Sequence, residues 1–116
     1  MMHPALIPPA LMSLMLSAGA VQAFPCTFAT QCVESRACGT SALEIDVDIG
    51  GKVIDTHSGL ITIVAVKEDS DLKTLFATGL GSEYLLSLTP ELARFSVHEN
   101  DGPTVTTYLG LCKEAF

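Results

Sequence analysis

Four cysteines, three histidines and a short row of acids are the side chains of this 116-residue sequence most able to do chemistry. Cys26, Cys32 and Cys38 lie in "CTFATQCVESRAC", with five residues between neighbours, and Cys112 stands close to the end of the chain. Zinc sites want thiolates in close pairs, or histidines nearby. These spacings supply no close pair, and His57 and His98 lie far along the chain. A reactive thiol wants a base and an electropositive setting, and the cluster offers only Arg36, with Glu34 close by. An even number of cysteines in an exported chain reads instead as disulfides. Three connectivities exist. Cys26–Cys112 with Cys32–Cys38 is favoured, because neighbouring terminal strands would join the first pair and polar "VESRA" would loop between the second. Cys26–Cys38 with Cys32–Cys112 is the runner-up.

The remaining candidates read more plainly. Glu44, Asp46 and Asp48 project from one side of a strand. Three acids could touch Ca²⁺, but that ion wants six or more oxygens, with loop carbonyls helping, so the row is read as a solvated strand face. "DTHSG" (Asp55–Gly59) holds the residue types of a hydrolase triad on one turn. Triad groups converge from separate elements, and there is no nucleophile elbow, so it is read as a turn. "VHEND" places His98, Glu99 and Asp101 at a strand end, and is read as an exposed strand-to-turn segment. "TGLGS" lacks the lysine of a phosphate-binding loop. No catalytic residue, cofactor site or metal ligand is assigned.

Charge and hydropathy bound the setting. Residues 1–33 contain no Lys, Arg, Asp or Glu. An apolar run, Ala10–Ala20, precedes "VQA", which fits a small-x-small cleavage site. Residues 1–23 are therefore expected to be a secretory signal peptide, leaving 24–116 as a single mature domain. The run is short for a stable membrane span. The net charge is −7, which disfavours nucleic acid and anionic membranes and suits a basic partner.

The elements that must position these groups read as strands. Leu43, Ile45, Val47 and Ile49 alternate with acids, the period-two pattern of a half-buried strand. Leu60–Val66 reads as a strand buried on both faces. "LKTLFATGLGS" admits a short helix capped by Asp71, or a strand. Tyr84, Leu86 and Leu88 share one side of the next strand, and Ala93, Phe95 and Val97 one side of another. "NDGP" turns the chain into a last strand, Thr104–Cys112. The expected fold is all-β: a small antiparallel barrel or sandwich of six to seven strands, with at most one short helix.

The plan of leader, early cysteine, short strands, "ARFSVHE" and a closing "YLGLC" resembles the small exported β-barrels of Gram-negative bacteria, loosely the periplasmic C-type lysozyme inhibitor family. That family's inhibitory loop carries an SGxxY-like motif. Here Ser58-Gly59 is followed by Leu60, Ile61 and Thr62, with no tyrosine. The resemblance implies a periplasmic or secreted, disulfide-bonded barrel. The function expected is non-enzymatic binding of a protein, a basic one, in the cell envelope. The alternatives are a small-molecule or metal binder, or a small hydrolase using His57 or His98. The oligomeric state is not legible.

Overall fold

The computed structural model describes residues 23–116. The leader expected over 1–23 lies outside the described residues, except Ala23. Eight strands run in sequence: β1 (Ala23–Val33), β2 (Gly39–Asp48), β3 (Val53–Asp55), β4 (Leu60–Glu68), β5 (Lys73–Gly79), β6 (Ser82–Leu88), β7 (Ala93–Glu99) and β8 (Val105–Cys112). Each pairs antiparallel with the next, and β8 returns to β1, closing a barrel. Closure pairs every strand with two neighbours, although short β3 leaves Gly39–Ile45 of β2 and Ile63–Glu68 of β4 laddered on one side only. No helix of the described residues is long and apolar enough to cross a membrane.

Period-two sequence becomes an inside and an outside. Phe24, Cys26 and Phe28 of β1 face in, as do Ile45 and Val47 of β2, Ile54 of β3 and Leu86 and Leu88 of β6. Aromatic side chains fill one part of the lumen. Phe95 stacks on Phe28 and on Tyr84, at centroid distances of 5.7 and 5.6 Å, and Tyr108 tilts against Phe28 and Phe95. Such pairs add to the stabilisation that burial alone provides. Burial pushes the Tyr108 hydroxyl above its ordinary pKa of 10.0.

Among the described residues the strands number eight rather than six or seven, because β3 has only three residues, too few for a pattern of its own. The "LKTLF" segment is the strand β5, not a helix. Its inward positions are Lys73, Leu75 and Ala77, while Leu72, just before it, and Phe76 face out. A lysine on the inner side and a phenylalanine on the outer side disguise the period. The strand β4 is not buried on both faces: Leu60 and Val64 are 64% and 62% exposed. In a single closed layer, only the inner face has a second surface to pack against.

The barrel is seamed by disulfides. Cys26 and Cys112, directly opposite in the β1–β8 ladder, are bonded, and Cys32 at the end of β1 is bonded to Cys38 beyond the turn. Bulges in β1 between Phe28 and Thr30, and in β4 between Ile63 and Ala65, bend those strands. Residues 113–116 fold back over one end: the Lys113 N–H donates to the Pro25 carbonyl, and Ala115 is buried. The buried Lys73 ammonium donates to the Ala115 carbonyl and lies against the rings of Phe24 and Phe116.

Candidate functional site

The lumen is filled by side chains, so the surface available to a ligand is the outer wall, and the row of acids lies on its β2–β3 part. Because Ile45 and Val47 face in, Glu44, Asp46 and Asp48 must face out. In the β2–β3 ladder, Val47 opposes Ile54 on the inner side, which places Asp46 opposite Asp55 on the outer side. Like charges directly opposed on neighbouring strands repel. Among the described residues no Lys or Arg forms an ion pair with either acid; the single ion pair present is His57 Nε2 to Asp46 Oδ2, 3.1 Å.

The turn after β3 delivers that imidazole. The Asp55 carboxylate accepts the His57 backbone N–H at 2.8 Å. The Thr56 backbone N–H and hydroxyl both donate to the Gly59 carbonyl, at 3.0 and 2.8 Å. The chain passes through φ of +67° at His57 and +155° at Gly59. The second of these suits glycine alone, and a Cβ there would also stand 2.9 Å from a Leu80 methyl. The turn thus aims His57 across the hairpin, and donor atoms of Asp46, Asp55 and His57 converge within 4.8 Å of one another. Both members of the ion pair are more than half exposed, so its energetic worth is about 0–1 kcal/mol.

Each candidate residue of the sequence can now be placed. Asp55, His57 and Ser58 form a turn. His57 faces Asp46 rather than Ser58, and the Ser58 backbone N–H goes to the Thr56 hydroxyl. Asp48 accepts the Gly51 N–H through Oδ1 at 2.9 Å, which organises the β2–β3 turn. His98 opposes Glu83 in the β6–β7 ladder, and the Glu99 N–H donates to the Thr104 carbonyl. Glu83 in turn accepts from Thr78 and Asn100. His98, Glu99 and Asp101 form no converging donor set among the described residues. The four cysteines are all in disulfides.

Sequence reasoning missed the meeting of Asp46 with His57. The spacing of eleven positions carries no motif. The signal that could have found it is the hairpin register, since two inward aliphatics at 47 and 54 force 46 opposite 55. Glu44 faces out, as the alternation implies, but beside hollows that no local pattern marks. It lines three adjoining depressions of about 260, 190 and 240 Å³, which spread over β8, β1, β2 and the turn carrying His57.

Comparison of the chain with protein-family models, with curated proteins and with solved structures finds no match.

Proposed function

We propose that the chain is an exported, non-enzymatic β-barrel that binds a basic protein in the cell envelope through the acidic outer face of β2 and β3. The observation that carries this reading is the combination of a filled lumen with an outer wall on which Glu44, Asp46 and Asp55 stand together. A packed barrel does not enclose a ligand, so recognition falls to the wall. A net charge of −7 raises the encounter rate with cations and disfavours anionic partners. Two disulfides support an oxidising compartment such as the periplasm. The test is calorimetric titration of the oxidised protein with small basic proteins, a C-type lysozyme among them, at low and high salt. Saturable binding that weakens with salt and with Asp46→Asn is expected. Silence across the whole panel removes the reading.

A second reading, a divalent metal site, is favoured by the convergence of Asp46, Asp55 and His57. Bonds of about 2.0–2.2 Å to tetrahedral zinc place neighbouring donors roughly 3.3–3.5 Å apart, and His57 Nε2 to Asp46 Oδ2 is already 3.1 Å. One nitrogen and two carboxylates suit zinc better than calcium. A melting temperature raised by Zn²⁺, but not in His57→Ala, supports this reading. Unchanged melting with both Zn²⁺ and Ca²⁺ discards it.

A further inference from the structure

Four acids, Glu44, Asp46, Asp48 and Asp55, stand on β2 and β3, and three of them are engaged within the molecule. Asp46 faces His57, Asp48 holds the Gly51 N–H, and Asp55 holds the His57 N–H. Glu44 is exposed and makes no hydrogen bond or ion pair among the described residues. It is also the acid that borders apolar ground. The depression of about 260 Å³ on its β1 side has Ala29, Ala42 and Leu111 as its outward apolar side chains and Ser41 at its border, with Thr27 beside Glu44 in the β1–β2 ladder. Ala29 sits at the β1 bulge, where Phe28 and Thr30 are out of step with both neighbouring strands. Small side chains on the two central strands therefore leave a trough, walled by Leu111, which is 49% exposed.

A trough of alkyl groups ending at an uncommitted carboxylate is complementary to one kind of side chain: an apolar stem ending in a cation. We infer that the groove across β8, β1 and β2 takes an arginine side chain of a partner protein, with its stem over Ala29 and Ala42 and its guanidinium on Glu44. Arginine fits better than lysine. Its head is planar and weakly hydrated and pairs with a carboxylate through two parallel hydrogen bonds, and its stem covers apolar surface. The inference rests on the basic-protein reading above and adds the anchoring residue and the place where it docks.

Two titrations separate the groove from that reading. The first follows backbone amide shifts of the oxidised, isotope-labelled protein against acetyl-arginine amide. Perturbations centred on Thr27, Ala29, Ala42, Glu44 and Leu111, reduced in Glu44→Gln and smaller with acetyl-lysine amide, are expected. Shifts centred on Asp46 and Asp55, or no shifts, overturn the groove. The second measures a basic protein that binds the wild type against two variants. Glu44→Gln is expected to weaken it about tenfold, the loss of one charge-assisted contact. Ala42→Trp, which fills the trough from an exposed position, is expected to do the same, while Asp101→Asn, in the β7–β8 turn and outside the groove lining, leaves affinity unchanged. Full affinity in Ala42→Trp overturns the groove and leaves the basic-protein reading intact. Absence of any basic-protein binding to the wild type removes that reading, whatever the first titration shows.

Discussion

Gly110→Ala tests how tightly the barrel is closed. Gly110 lies opposite Phe28 at the β1 bulge, two residues along the ladder from the bonded pair Cys26–Cys112. A Cβ on residue 110 would stand 1.9 Å from the Thr27 carbonyl oxygen, 2.6 Å from the Phe28 Cα and 2.8 Å from the Thr27 carbonyl carbon. All three are backbone atoms, so no rotamer change relieves the contact. Restoring even 3.0 Å to the oxygen requires the strands to part by about 1.1 Å, the difference between 3.0 and 1.9. That displacement takes the nearest ladder hydrogen bonds out of range, at about 1 kcal/mol each. The disulfide opposes the shift, so part of the overlap persists as overpacking of about 1–3 kcal/mol. The sum is about 3 kcal/mol, a large share of the roughly 5–15 kcal/mol that holds a small domain together. With a urea slope of about 1.5–2 kcal/mol per molar for a domain of this size, the midpoint falls by about 1.5–2 M. The assay is urea unfolding of the oxidised protein followed by circular dichroism. Gly39→Ala is the control, because a Cβ there meets nothing within 4 Å. Its midpoint is expected to stay put or rise slightly. A Gly110→Ala midpoint equal to that of the wild type refutes the reasoning.

Three further outcomes follow from the same structure. Replacing Cys26 and Cys112 by serine removes a cross-link spanning 86 positions, worth about 4–5 kcal/mol on the chain-entropy account, whereas losing Cys32–Cys38, spanning 6, costs about 2–2.5 kcal/mol; reversible thermal or urea unfolding of each variant ranks them, and equal losses contradict the account. Tyr108, its pKa raised by burial, holds its proton more firmly folded than unfolded, so the stability it influences is flat below about pH 10 and falls as pH rises towards the folded pKa. Unfolding measured from pH 8 to 11 should show that alkaline decline, and Tyr108→Phe should lessen it. His57→Ala should change stability by less than about 1 kcal/mol, since its ion pair is largely exposed; a larger loss in calorimetry would mean that the imidazole holds the hairpin together.

The strands whose outer faces are polar were the legible ones. Ile45 and Val47 between acids, and Ala93 and Phe95 around Arg94, declare their faces in one dimension. Barrel strands that carry apolar residues outside do not. Val64 and Phe76 have the composition of a core and lie on the surface, while Lys73 has the composition of a surface and is buried, its ammonium held by a carbonyl and two aromatic rings. The site was harder still, because its geometry is set between strands. Asp46 and His57 meet through a hairpin register, and the trough beside Glu44 arises from a bulge together with alanines on adjacent strands. Neither leaves a local pattern, although the acids themselves were visible as a row.

The bond between Cys26 and Cys112 turns the polypeptide between them into a covalent ring. A protease that cuts any one hairpin tip of the barrel produces a nick and releases no fragment, since both pieces stay joined through the sulfurs and by the ladders around the cut. Escape from the ring requires either a second cut or a reductant. In an environment rich in hydrolases and poor in thiols, such a molecule survives single insults with its outer wall still assembled. The lifetime of such a molecule depends on the redox state of its surroundings as well as on its folding free energy.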